Sequence, residues 1–193
     1  MTMSAEPVVP QPQSTNSSKP LRPGPVLISA WLRDLFIALA ISAFVIIFLY
    51  QPVRVEGTSM MPGLDDQERI FVNKFIYNIE PIHRGDIVVF RYPRDPAQSF
   101  IKRVVGVAGD HILIVKGHVY LNGKLLVEDY VPGAYQDEHS YPEIVVPAGA
   151  YYVLGDHRTV STDSRAFGPV ASNYIYGKAV FGYWPMDKMG RVR

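Results

Sequence analysis

Three short stretches hold the side chains that could do chemistry. The first, residues 55–64 (VEGTSMMPGL), presents Ser59 in a segment without helical or strand periodicity. Gly57 and Gly63 allow unusual backbone angles and Pro62 stiffens the turn, so a hydroxyl can be offered there at a set angle as a nucleophile. The second, residues 100–110 (FIKRVVGVAGD), places Lys102 inside a β-forming run. Alternation sends Lys102 to one face with Phe100 and Val104, and Arg103 to the other with Ile101 and Val105. A lysine among apolar neighbours loses solvation, its pKa falls, and it can accept a proton. The third, residues 155–165 (GDHRTVSTDSR), packs two acids, two arginines, two serines and two threonines into one loop. Such density points to a paired network that sets the loop's shape, with Asp163–Arg165 and Asp156–Arg103 as expected pairs. Ser161 is a neutral donor and acceptor that could orient an amine without raising its pKa, as a carboxylate would. Each stretch also has a plainer reading: a connector, an edge-strand lysine that blocks aggregation, and an exposed polar turn.

Other patterns are set aside on physical grounds. Gly106-x-x-Gly109-Asp110 leads into another β-run rather than a helix, which makes it a tight turn and not a phosphate loop. Ser99-Phe100-Ile101-Lys102 matches the Ser-x-x-Lys of penicillin-recognising enzymes. That chemistry needs one face of a helix, whereas residues three apart on a strand face opposite ways. The five histidines show no ligand spacing, so no metal is expected, and no cofactor. His157, nearest the polar loop, reads as a network or surface residue rather than a catalytic one. A cysteine count of zero excludes disulfides, thiol nucleophiles and thiolate metal sites. A formal net charge of +1 gives no electrostatic case for nucleic acid.

These stretches need a scaffold, and the pattern of the chain predicts a mainly β one. Candidate strands fall at 69–73, 86–92, 99–107, 112–116, 118–121, 124–126, 151–154 and 178–184, rich in Val, Ile, Phe and Tyr and cut by turn residues. Asn122-Gly123 marks a type I′ hairpin. Residues 172–176 hint at a helical turn, and 128–147 reads as an irregular surface excursion. Ahead of this domain (51–193) lie a Pro-, Ser- and Gln-rich tail (1–27), expected to be disordered, and an apolar stretch (28–50). Residues 35–50 carry no charge, and extension back to Ile28 reaches the ~20 residues of a spanning helix. The following Gln51-Pro52-Val53-Arg54 lacks a small-x-small cleavage pattern, so the stretch reads as a retained transmembrane anchor. Lys19, Arg22 and Arg33 put the tail in the cytoplasm and the β-domain on the far side.

In combination, the anchor, Ser59-Met60-Met61-Pro62 with Leu64, Arg84-Gly85-Asp86-Ile87-Val88-Val89-Phe90, Lys102-Arg103 with Gly106 and Gly109-Asp110, and Gly155-Asp156-x-Arg158 with Ser161, Asp163, Ser164 and Arg165 resemble the type I signal peptidases. Those are membrane-bound serine–lysine proteases. The resemblance implies a signal-peptidase-like β-barrel or sandwich and signal-peptide-bearing precursors as partners. It implies Ser59 as nucleophile, Lys102 as general base and Ser161 as the hydroxyl orienting the amine. Arg103, Asp156, Asp163 and Arg165 become the structural network. The likeness is to the smaller members, without a large inserted domain.

Two departures stand out. Gly63 replaces a usual threonine, and His157 a usual asparagine. Gly57 stands where some relatives carry a serine that helps hold the oxyanion. Val55, Met60, Phe100 and Ile101 are the expected apolar walls for an extended substrate with small alternate side chains. The resemblance places the protein in the plasma membrane as a single-pass protein beside lipid, with a thylakoid membrane as another host. Two rivals remain: an inactive membrane-anchored β-domain that binds extended peptides, and a soluble self-cleaving repressor. The repressor would need a DNA-binding helical domain where this chain has a tail and an apolar run.

Overall fold

A computed structural model describes residues 26–192. The tail expected over 1–27 lies outside the described residues up to position 25. Two compact units are distinguished, with the boundary inside the first helix between Ala40 and Ile41.

Helix α1 (Val26–Leu49) opens the described chain. Its bulky side chains Trp31, Phe36, Leu39, Ile41, Phe44 and Phe48 are all exposed. Side chains are described without interruption over residues 30–46. Among the described residues no helix is long and apolar enough to cross a membrane.

The β-domain has two sheets. The first contains β1 (Tyr50–Arg54), β2 (Arg69–Asn73), β3 (Ile87–Tyr92) and β4 (Asp95–Gly106). The second contains β5 (His111–Val115), β6 (His118–Leu121), β7 (Lys124–Leu125) and β8 (Tyr141–Val145). The chain then returns to the first sheet through β9 (Ala150–Leu154), a one-turn helix α2 (Ser164–Phe167), β10 (Val170–Ala171), β11 (Ile175–Trp184) and β12 (Gly190–Arg191). The strand order is β1-β2-β11-β3-β4-β9-β10 in the first sheet, with β12 beside β11, and β7-β6-β5-β8 in the second. The described pairings are all antiparallel.

The strands expected at 69–73 and 118–121 appear with those bounds, and the other six within a few residues of theirs. The hairpin turn is present: Asn122 and Gly123 both take positive φ, 51° and 77°, as a type I′ turn demands. Residues 172–174 form the single 3-10 turn hinted at. The excursion 128–147 is more ordered than expected, holding a 3-10 turn at Gly133–Tyr135 and the edge strand β8. Pro142 hides that strand from a propensity reading, and an edge strand tolerates it. Strand β1 was also not expected. The apolar run of α1 flows into Tyr50, and Pro52 masks the rest.

Alternation on β4 sorts its side chains into separate cores. Phe100 and Val104 pack with Val88, Phe90 and Val153. Ile101 packs instead against a cluster of Val55, Met60, Leu64, Ile70 and Val89. Each fully buried aliphatic side chain stabilises the fold by roughly 1.5–3 kcal/mol. Met60 and Leu64, each 1% exposed, therefore anchor the turn that carries Ser59.

Candidate active site

The chemistry gathers where the Ser59 turn, the middle of β4 and the loop after β9 converge. The turn is closed by Met61 N–H to the Thr58 carbonyl (3.1 Å) and Leu64 N–H to the Met60 carbonyl (2.9 Å). Gly57, at φ 92°, donates its N–H to Asp66 Oδ1 at 2.8 Å. The loop after β9 grips the turn from the other side. His157 N–H donates to the Ser59 carbonyl at 3.1 Å, and His157 Nδ1 lies 3.2 Å from the Thr58 carbonyl.

Lys102 lies opposite Val88 in the β3–β4 ladder and is 4% exposed. Its Nζ is 2.7 Å from Ser59 Oγ and 3.0 Å from the Ile101 carbonyl. The Phe100 ring centroid is 5.3 Å away. Burial is the main cause that lowers the Lys102 pKa to about 8; Asp163 and Asp156 pull upward and Arg165 pushes downward.

Neither aspartate is bonded to the amine, because arginines occupy both. Arg103 Nε and Nη2 form a bidentate pair with Asp156 at 2.8 and 2.6 Å. Asp163 accepts Arg165 Nε and Nη2, both at 2.8 Å, the Arg165 N–H at 3.2 Å as cap of α2, and the Gly155 N–H at 3.1 Å. Both pairings expected from the sequence are present. A buried amine beside a serine hydroxyl and free of a carboxylate is an arrangement for general-base activation of a nucleophile.

Ser161 was expected to orient the lysine amine. Its Oγ is buried and, among the described residues, has no hydrogen-bond partner; it is not bonded to Lys102. It faces Gly155, where a Cβ would collide with it and stand 2.5 Å from the Ser59 carbonyl oxygen. Its own carbonyl accepts Arg165 Nη2 at 3.4 Å.

A groove of about 790 Å³ opens in front of Ser59 and Lys102. All four expected wall residues line it. Val55 and Met60 are almost wholly buried and make its floor, while Phe100 and Ile101 are half-buried along one side. No group of three histidines or carboxylates suited to a metal occurs among the described residues.

The sequence reading missed a set of residues in 128–137. Glu128 pairs with Arg158 at 2.6 and 3.0 Å, Asp137 pairs with Arg165, the Tyr130 ring lies 4.2 Å from the Arg103 guanidinium carbon, and Tyr135 packs on His157 at 4.2 Å. One signal pointed to them. Arg103, Arg158 and Arg165 outnumber Asp156 and Asp163, so a buried network of these five needed further carboxylates.

Comparison with known proteins gives a consistent result. A family described as signal peptidase, peptidase S26, matches residues 28–184. The chain is similar to signal peptidase I of Bacillus caldolyticus, 38% identical over 165 residues, which covers 79% of this chain and 90% of that protein. It is similar to signal peptidase IB of Staphylococcus aureus, 35% identical over 174 residues, covering 82% and 90%. Among solved structures, a signal peptidase I from Enterococcus faecalis V583 matches at 32% identity and a TM-score of 0.46, over 52% of this chain and 97% of that one.

Proposed function

The chain belongs to the signal peptidase family, peptidase S26, and from that membership we propose that Ser59 is the nucleophile and Lys102 the general base of its reaction. The protein is a serine endopeptidase that removes signal peptides from precursor proteins. What carries the residue assignment is the 2.7 Å approach of Lys102 Nζ to Ser59 Oγ in a buried setting.

Neutral Lys102 takes the proton of Ser59 Oγ as the oxygen attacks the scissile carbonyl carbon. The Ser59 backbone N–H meets the oxyanion. Gly57 brings no hydroxyl to help it, and its own N–H is engaged by Asp66. As the C–N bond breaks, the lysine ammonium returns the proton to the leaving amine. Water then attacks the ester, Lys102 accepts its proton, and the signal-peptide carboxylate leaves as Ser59 regains its hydrogen. Ser161 supplies the hydroxyl toward which the amine turns during this cycle. An unpaired buried hydroxyl costs roughly 1–3 kcal/mol, which favours a functional reason for keeping it. Nucleophile and base both come from the chain, so the reaction calls for no metal or cofactor and should survive a chelator.

The substrate enters as an added strand along the groove, small side chains at alternate positions facing Val55, Met60, Phe100 and Ile101. Helix α1 anchors the protein in the bilayer as a single span, tail in the cytoplasm. What supports the anchor is the sequence, in which residues 35–50 carry no charge and extension back to Ile28 reaches the ~20 residues a span needs. Carbonate-resistant membrane association and protease protection of the tail test the anchor. Purified protein incubated with a precursor peptide bearing a small-x-small site tests the chemistry. Wild type cleaves after the second small residue, and neither Ser59→Ala nor Lys102→Arg does. Near-normal cleavage by Lys102→Arg would sink the assignment, because arginine cannot act as the base.

A further inference from the structure

The segment between β7 and β8 touches the catalytic network at four separate points. Glu128 binds Arg158 through both carboxylate oxygens, and Tyr130 hydroxyl donates to that same carboxylate at 2.6 Å. The Tyr130 ring also covers the Arg103 guanidinium. Tyr135 packs on the His157 ring, and Asp137 binds Arg165. Behind these contacts the segment is fixed to the β5–β6 turn. Gln136 Nε2 donates to the Gly117 carbonyl at 2.5 Å, and Gly117 N–H to the His139 carbonyl at 2.8 Å. Gly117 has no room for a Cβ there because the Asp137 carbonyl lies against it. The second sheet thus reaches the active site through this segment.

We infer that residues 128–137 are a positioning strap for the catalytic loop, in which Glu128, Tyr130, Tyr135 and Asp137 hold Arg158, Arg103, His157 and Arg165 and, through His157, the Ser59 turn. The inference rests on Ser59 and Lys102 being nucleophile and base. Two physical effects make the strap matter. The first is charge. Arg103, Arg158 and Arg165 against Asp156 and Asp163 leave one positive charge in excess. Glu128 and Asp137 convert that to one negative charge in excess. The second is geometry. The nucleophile turn is hydrogen-bonded to a loop residue whose ring rests on the strap. None of the four strap residues touches the reacting atoms.

The test uses full-length protein in detergent and two readouts. The first is the titration midpoint of the Lys102 amine, read by NMR of the lysine side chain, which needs no substrate. The charged groups acting on Lys102 are Asp163, Asp156 and Arg165. Neutralising Asp137 removes one of the two carboxylates that offset Arg165, the other being Asp163, so more of the Arg165 charge acts on the amine. Asp137→Asn should therefore move the midpoint down by roughly 0.3–1 pH unit, and Glu128→Gln in the same direction by less. A midpoint that stays at the wild-type value in folded Asp137→Asn and Glu128→Gln overturns the electrostatic half of the inference. The second readout is the rate of Ser59 acylation. Tyr135→Ala removes no charge and sits at a half-buried position, so it keeps the test decisive if a neutralised variant does not fold. It should slow acylation at least fivefold with the Lys102 midpoint unmoved. Wild-type acylation overturns the clamp. If wild type and Ser59→Ala alike leave a precursor uncut, the proteolytic reading fails, and the NMR midpoints still decide the strap.

Discussion

The carbonyl of Ser59 accepts the backbone N–H of His157 at 3.1 Å, so the nucleophile turn and the polar loop form one hydrogen-bonded unit. Gly155 lies in the tightest part of that junction. A Cβ there would stand 2.5 Å from the Ser59 carbonyl oxygen and overlap the Ser161 hydroxyl. Gly155→Ala must push the two segments apart. A misplacement near 1 Å costs about 100-fold in rate. Acylation of Ser59 by a serine-directed probe should slow by that order while the far-ultraviolet circular dichroism stays β-rich. An unchanged acylation rate would mean that the junction does not position Ser59.

The depressed pKa of Lys102 gives a direct kinetic signature. With the amine titrating at about 8, kcat/KM should fall tenfold for each pH unit below that value and level off above it. The measurement is a pH series on one precursor peptide at low substrate concentration. An acid limb near the ordinary lysine value of about 10.4 would show a solvated amine.

The same depression acts on stability. The folded-state value of about 8 lies below the ordinary lysine value of 10.5, so between those two pH values the unfolded chain binds more protons and stability rises with pH. Below pH 8 the penalty for holding a charged buried lysine is present in full. It is worth about 3 kcal/mol, at roughly 1.4 kcal/mol for each unit separating the two values. Lys102→Met removes it. Urea unfolding should find the variant more stable than wild type at pH 7 by up to about 3 kcal/mol, with the gap closing as pH approaches 10.5. A less stable variant at pH 7 would contradict a costly buried charge.

How far this was legible in the sequence depends on the range of the interaction. Lys102 announced its burial locally, because alternation on an apolar strand leaves a lysine no solvated face. Asn122-Gly123 announced its hairpin for the same reason. Asp163 lies two residues from Arg165, and their pairing followed. The approach of Ser59 to Lys102 spans 43 positions along the chain, and no local pattern encodes it. That pairing came through the family resemblance. Glu128 and Asp137 were lost because their partners lie 30 and 28 positions away and their own stretch has no periodicity. The surplus of arginine over aspartate in the polar motifs was their only trace. Ser161 shows the opposite case: its type and place were recognised, yet its hydroxyl faces Gly155 and has no hydrogen-bond partner among the described residues.

The pair Arg103–Asp156 offers the sharpest separation of folding from catalysis. Both side chains are almost wholly buried, at 5% and 0% exposure, and the two hydrogen bonds between them are short and parallel. Asp156→Asn leaves a buried guanidinium against a neutral amide. Removing one partner of such a pair costs about 3–5 kcal/mol, because the remaining charge stays desolvated. Replacing both partners with apolar residues of similar volume, as in Arg103→Met with Asp156→Leu, removes that charge and should recover most of the lost stability. Activity should not return with it, because His157, which holds the Ser59 carbonyl, adjoins position 156 and loses its fixed support. Urea midpoints and precursor cleavage measured on the single and double variants decide the matter. Full cleavage in the stable double variant would show that the ion pair serves only the fold, and an unshifted midpoint in Asp156→Asn would show that it does not serve even that.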